Sequence, residues 1–141
     1  MPTPVATPTT LTFRVEDRPG ALGRAARLLA NAGINIEAFQ ADAGTVRFLV
    51  QDGTKAANAL RAGGFPCQTA EALPVRIPNR PGELATLGEA LGRASVNIQA
   101  SFGSADAGTI YLQVDNVNAA RPVIERLAGA VPAGSGTLRN R

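Results

Sequence analysis

The chain has 141 residues, of which 45% are hydrophobic and 18% charged, and its formal net charge is +3. These values are ordinary for a soluble globular protein and exclude a disordered or fibrous class. No apolar run reaches the roughly 20 residues of a membrane-spanning helix, and MPTPVATPTT lacks the basic start and apolar stretch of a signal peptide. We therefore expect a cytoplasmic protein with a flexible tail over residues 1–10.

The residue types present disfavour an enzyme and a metal site. The chain has no histidine and a single cysteine, Cys67, so the commonest general base and metal ligand is missing and an internal disulfide is excluded. We expect Cys67 to be inert and partly buried, and we expect no catalytic residue and no cofactor. The arginines are spread along the chain without a dense cluster, which does not favour nucleic-acid binding.

The first predicted element is a strand over residues 11–16, LTFRVE, in which every second residue is apolar. This two-residue period is typical of a half-buried strand. After the turn DRPGAL, the apolar residues Leu22, Ala25 and Leu29 recur at helical spacing, which predicts a helix with one apolar face. We place Pro19 at the first helical position, where its missing N–H group is not needed.

The following stretch completes a β-α-β-β-α-β order. Gly33 suits the C-terminus of the first helix. Alternating apolar residues predict strands over residues 34–38 and 46–50, joined by a turn at ADAG. A second helix is predicted over residues 54–64 and a fourth strand over residues 67–73.

The same pattern occurs a second time in the chain. Arg80 lies 62 residues after Arg18 (80 − 18 = 62), and at this offset many residues are identical; after a two-residue insertion, AGTVRFLV matches AGTIYLQV at an offset of 64. Pro122 is compatible with the second helix of this copy if it lies in the first turn. The predicted elements are a strand at 75–77, a helix around 84–91, strands at 96–100 and 110–114, a helix at 118–129 and a weak strand candidate at 134–141.

This element order predicts the fold. The split βαβ arrangement is ferredoxin-like, so we predict an α+β protein of two ferredoxin-like units in tandem, each an antiparallel sheet with its helices on one face. The units would cover residues 11–72 and 73–141. Because a unit of about 60 to 70 residues is only marginally stable alone, we expect pairing of the copies and of whole chains.

The turns DRPGAL and NRPGEL are the candidate functional segments. Glycine lets another molecule approach the backbone, and arginine is a poor N-cap, so the N–H groups at the helix start are open to an anion such as a carboxylate. Glu83 in the second copy would repel a carboxylate, whereas the first copy has Ala21 there. Both turns also have a purely structural interpretation, because Asp17 and Asn79 can hydrogen-bond back into the turn.

An asparagine opens the predicted second strand in each copy, in GINI and in SVNI. The side-chain amide has donors and an acceptor, so Asn35 and Asn97 could receive an ammonium group while also binding a carboxylate. The alternative is that both asparagines only satisfy backbone groups where the helix gives way to the strand.

With these turns after the first strand, and GINI or SVNI after the first helix, the chain resembles the ACT domain in two copies from residue 11 to about 138. ACT domains are similar to one another in binding small ligands, usually amino acids, at an interface where the loop of one domain faces the second strand of another. The ligand-binding residues implied by the resemblance are Asp17, Arg18, Pro19, Gly20, Ala21, Leu22, Asn35 and Ile36 in the first copy and Asn79, Arg80, Pro81, Gly82, Glu83, Leu84, Asn97 and Ile98 in the second.

The two copies depart from the family pattern in different ways. Well-known amino-acid sites of this family have an amide two residues before the proline, which Asn79 supplies and Asp17 does not. Some have a histidine four residues before it, where this chain has Val15 and Ile77. We therefore expect two unequal pockets and no serine recognition of that type.

The resemblance implies a free-standing, non-catalytic sensor that binds an amino acid or related ligand at an ACT interface, forms a homodimer and regulates a partner or amino-acid metabolism. The alternative is a protein interaction or dimerisation module with this fold and no ligand. RNA binding would need aromatic platforms, and Phe13, Phe48 and Tyr111 are the only aromatic residues on the predicted central strands. We expect neither nucleic acid nor a membrane as a partner.

Overall fold

A computed structural model describes residues 8–16, 19–104 and 108–130 of the chain. The chain divides into two compact units, Met1–Ala72 and Leu73–Arg141. No helix within the described residues is long and apolar enough to cross a membrane. The predictions that fall outside the described residues concern Asp17, Arg18, most of the tail (residues 1–7) and the strand candidate at 134–141.

The first unit, called unit 1, has one antiparallel sheet. Its elements in chain order are β1 (Thr9–Arg14), α1 (Ala21–Asn31), β2 (Ala38–Asp42), β3 (Thr45–Val50), α2 (Gly53–Ala62) and β4 (Cys67–Glu71). The strand order in the sheet is β2-β3-β1-β4, so the first strand lies between the third and the fourth. This is the predicted ferredoxin-like order.

The core of unit 1 lies between the sheet and its two helices, as the alternation in β1 and β3 predicts. Phe13 lies near its centre and makes edge-on contacts with Phe48 at 5.1 Å and Phe65 at 5.7 Å between ring centroids. Each large side chain buried in this way contributes about 1.5–3 kcal/mol. The buried residues that form this core cluster are Leu11, Phe13, Ala25, Leu29, Val46, Phe48, Val50, Ala56, Ala57 and Leu60.

The second unit, called unit 2, repeats the first three strands of this arrangement. Its elements in chain order are β5 (Leu73–Arg76), α3 (Glu83–Arg93), β6 (Ile98–Ser104), β7 (Thr109–Val114) and α4 (Val117–Ala130). The described strands form an antiparallel sheet in the order β5-β7-β6, which corresponds to β1-β3-β2 of unit 1. The core joins helix residues such as Leu91 to alternate residues of β5 and β7, such as Val75 and Leu112.

Several strand boundaries differ from the predictions; β6, for example, covers Ile98–Ser104 rather than residues 96–100, so Asn97 precedes it. The starts of β1 and β2 have identifiable causes. β1 begins at Thr9 rather than residue 11, because Thr9 pairs with Val50 of β3. β2 begins at Ala38 rather than residue 34, because the Ile34 N–H donates back to the Leu29 carbonyl at 2.9 Å. The segment 34–37, which contains Asn35, is therefore a connection and not part of the strand.

The predicted positions of two prolines are also wrong. Pro19 is not the first helical residue, because α1 begins at Ala21 and Gly20 is its N-cap. Pro122 lies beyond the first turn of α4, because that helix begins at Val117. A proline inside a helix leaves one carbonyl group without its intrahelical donor.

Candidate functional site

Both predicted turns place a glycine in a left-handed conformation. Gly20 is the N-cap of α1 with φ = 88°, and Gly82 is the N-cap of α3 with φ = 89°. A Cβ atom on Gly20 would meet only the Arg24 guanidinium at 3.7 Å, and one on Gly82 would meet nothing within 4 Å. The backbone conformation, and not a lack of space, therefore requires glycine at both turns.

The turn of unit 1 opens into a cleft of about 720 Å³. Its walls are the end of β1 (residues 14–16), the start of α1 (residues 20–23) and the β2–β3 turn (residues 43–44). The Val15 N–H donates to the Gly44 carbonyl at 2.9 Å, which fixes the end of β1 against that turn. We call this space the unit 1 cleft.

The charges of the unit 1 cleft suit a small zwitterion. Arg14 lies on one wall, where its Nη1 donates to the Thr45 hydroxyl at 3.2 Å. Helix α1 has no acidic residue in its first turn and no side chain that caps it. Neither an acid nor a capping group therefore offsets the positive end of its dipole. Glu16 lines the same cleft and supplies a negative group.

The corresponding turn of unit 2 is occupied by its own side chains. A smaller cleft of about 260 Å³ is lined by residues 75–78, Arg80, Glu83, Leu127 and neighbouring residues of α3. The Glu83 carboxylate lies 2.9 Å from Arg80 Nη2 and 3.2 Å from Arg80 Nε. The acid that the sequence places in the first turn of α3 is thus paired with the arginine of the same motif.

The asparagine of unit 2 is engaged by a carboxylate. The Asn97 N–H donates to Asp115 Oδ1 at 2.9 Å, and Asn97 Nδ2 donates to Asp115 Oδ2 at 3.0 Å. The backbone hydrogen bond from Asn97, followed by the one from its side chain, holds the pKa of Asp115 below its usual value, because both bonds favour the charged form. The Asp115 N–H donates in turn to the Asn97 carbonyl at 3.1 Å.

The asparagine of unit 1 has a different environment. Within the described residues, neither the N–H nor the side chain of Asn35 makes a hydrogen bond, and the residue is exposed. The repeat offset of 64 places Gln51 opposite Asp115 (115 − 64 = 51). Gln51 Nε2 donates to Glu37 Oε1 at 3.0 Å instead.

The structure brings some of the predicted residues together and leaves others apart. Gly20, Ala21 and Leu22 line the unit 1 cleft, and Arg80 and Glu83 line the smaller cleft of unit 2. The predicted residues that line neither cleft, among those the structure describes, are Pro19, Asn35, Ile36, Asn79, Pro81, Gly82, Leu84, Asn97 and Ile98.

Sequence reasoning missed Arg14 and the β2–β3 turn as walls of the unit 1 cleft, because only strand pairing brings them to the start of α1. It also missed Asp115. The repeat contained a signal for this residue, because at the offset of 64 the acid Asp115 aligns with the uncharged Gln51. Within the described ranges, no three or more histidine, cysteine, aspartate or glutamate residues form a group that could bind a metal ion.

Comparisons with known proteins give a family match for part of unit 1. The ACT domain family model matches residues 9–50, which contain both DRPGAL and GINI. No curated protein sequence matches the chain.

Solved structures show the same fold at low identity. A Bacteroides thetaiotaomicron protein is 24% identical with a TM-score of 0.72, covering 85% of this chain and 88% of that one. The ligand-free regulatory subunit of aspartate kinase from Thermus thermophilus is 15% identical with a TM-score of 0.64, covering 90% and 93%. E. coli aspartokinase III in complex with lysine and aspartate is 14% identical with a TM-score of 0.62, covering 90% of this chain and 32% of that one.

Proposed function

We propose that this ACT-type protein is a non-catalytic sensor that binds an amino acid, or a related small carboxylate, at the unit 1 cleft and regulates a partner or amino-acid metabolism in the cytoplasm. The observation that carries the proposal is the start of α1. It has no acid and no side-chain cap, it opens into a cleft of about 720 Å³, and it lies within the residues that match the ACT domain.

The ligand carboxylate is assigned to the start of α1. The first N–H groups of a helix have no intrahelical acceptor, and together they carry roughly half a positive charge. An anion at this position gains about 0.3–1 kcal/mol from the dipole at an exposed site. Arg14 on the neighbouring wall adds a full positive charge, and Glu16 offers a partner for the ligand ammonium group.

A homodimer is part of the proposal. The ACT resemblance sets the loop of one domain against the start of the second strand of another, so a second copy of the chain would bring its Asn35 to the open side of the cleft. Asn35 makes no hydrogen bond within the described residues and is therefore suited to this task. A carboxylate has two oxygens and about four acceptor sites, so it can accept from both copies at once.

A second candidate is an interaction module without a ligand. It is favoured by the exposed apolar side chains of Phe39, which is 62% exposed on the edge strand β2, and Leu84, which is 66% exposed in the first turn of α3. Large apolar groups of this kind often lie in protein interfaces. In this case the chain would dimerise or bind a partner without responding to any amino acid.

A thermal-shift screen over the twenty amino acids tests the sensor. A ligand at 100 times its dissociation constant stabilises the folded state by about 2.7 kcal/mol. For domains of this size, 1 kcal/mol corresponds to about 4–8 °C, so a true ligand should raise the Tm by on the order of 10 °C. If no amino acid or related acid raises the Tm while the chain is dimeric by sedimentation, the interaction module replaces the sensor.

A further inference from the structure

The side chain of Asp115 binds Asn97 as a ligand carboxylate would. Each carboxylate oxygen accepts one hydrogen bond from Asn97, one from the backbone N–H at 2.9 Å and one from the side chain at 3.0 Å. Charge-assisted hydrogen bonds of this length are among the stronger ones in proteins, and two parallel bonds add geometric specificity. An asparagine at this place in the fold is thus an effective carboxylate receptor.

Among the residues of unit 1 that the structure describes, no carboxylate accepts a hydrogen bond from the same two donors of Asn35. Gln51, at the position that corresponds to Asp115, is uncharged and donates to Glu37 instead. Since the asparagine is common to both copies and the acid is not, the two units differ in whether the receptor is already occupied.

Resting on the function proposed above, we propose that Asp115 is an internal carboxylate that closes the Asn97 receptor to ligands, so that the chain takes its carboxylate ligand through the asparagine of unit 1 alone. Unit 2 then has a structural role, and each chain has one kind of ligand-binding site.

An internal carboxylate is an effective competitor because it is tethered. Even a short flexible tether gives an effective concentration of about millimolar. Asp115 is more restricted than that, because its own N–H donates to the Asn97 carbonyl at 3.1 Å. Its carboxyl group is charged at neutral pH, as that of any aspartate with an ordinary or lowered pKa is. A free amino acid at micromolar concentration would therefore not displace it.

The turn of unit 2 supports the same conclusion independently. The first turn of α3 carries Glu83, whose carboxylate is bound by Arg80 at 2.9 Å. Both elements that would receive a ligand carboxylate in this unit therefore already have a carboxylate of their own. Neither element of unit 1 has one at the corresponding position, where the residues are Ala21 and Gln51.

A reciprocal exchange tests the inference. Asp115→Gln gives unit 2 the residue of unit 1, and Gln51→Asp does the reverse. Asp115→Ala is a second variant that removes the internal carboxylate, for use if Asp115→Gln does not fold. Each full-length chain is titrated with sodium acetate and with glycine, with sodium chloride as the ionic control. Amide-resolved NMR follows the backbone and side-chain amide signals of Asn35 and Asn97.

In the wild-type chain we expect the Asn35 signals to shift and the Asn97 signals to stay in place. Asp115→Gln should make both respond, and Gln51→Asp should remove the Asn35 response. The inference is overturned if Asn97 responds as strongly as Asn35 in the wild type, or stays silent in both Asp115 variants. If Asn35 is silent in the wild type while Asn97 responds in Asp115→Gln, the internal carboxylate is supported and the proposed function fails.

Discussion

Substitution of Gly23 should change stability and ligand binding in opposite directions. Gly23 lies in the first turn of α1, is exposed and lines the unit 1 cleft. A Cβ atom there would meet nothing within 4 Å, and its φ is not positive. Gly23→Ala should therefore stabilise the unit by up to about 0.5–1 kcal/mol through helix propensity. Gly23→Glu should add about 0.3–1 kcal/mol, because it places an acid at the positive end of the helix dipole.

The same acid should weaken binding. Two negative charges about 5 Å apart repel each other by about 0.8 kcal/mol at a dielectric constant of 80 and about 3.3 kcal/mol at 20. Relative to Gly23→Ala, we therefore expect Gly23→Glu to bind the amino acid from the thermal-shift screen roughly 4- to 250-fold more weakly. Titration calorimetry gives the affinities and urea unfolding gives the stabilities. If Gly23→Glu binds as tightly as Gly23→Ala, the ligand carboxylate does not lie at the start of α1.

Three further predictions concern the fold and the asparagine receptor. Gly20→Ala should destabilise the chain by about 1–2 kcal/mol in urea unfolding, because φ is 88° there; an unchanged midpoint would show that the turn adapts. Gly53→Ala should cost about 1–3 kcal/mol in the same assay, because its Cβ would lie 2.6 Å from the Thr9 side chain, and a neutral result would mean that Thr9 moves aside. The NMR signal of the Asp115 carboxyl carbon should titrate with a pKa below the usual range for aspartate. The charged carboxylate therefore stabilises the fold above the pKa of Asp115 in the unfolded chain, and this stabilisation is lost as the pH falls through the pKa in the folded chain. Asn97→Ala should raise the pKa in the folded chain, and an unchanged pKa would show that Asn97 is not the cause of the shift.

The fold could be predicted from the sequence because apolar residues recur with clear periods. Alternation in β1 and β3 and helical spacing in α1 each identified residues such as Phe13, Phe48 and Leu29 that the structure buries. The start of β2 could not be placed in this way. Ile34 and Ile36 have the spacing of a strand, but the Ile34 N–H bonds back to the end of α1.

The candidate site was only partly predictable, for similar reasons. The turn residues Gly20 and Gly82 are visible as a repeated motif, yet their left-handed conformation, and not proximity to another molecule, requires glycine. The bond between Asn97 and Asp115 joins residues 18 positions apart, so it depends on the α3–β6 and β7–α4 connections lying side by side. Sequence periodicity carries no information about such a meeting of two loops.

The most direct test of the proposed site is a crystal structure of the wild-type chain grown with the amino acid that raises the Tm most. We expect the ligand carboxylate to accept hydrogen bonds from the first N–H groups of α1, with Arg14 beside it and the corresponding turn of unit 2 without ligand. A ligand bound away from residues 20–23, or bound equally at the start of α3, would contradict the proposal.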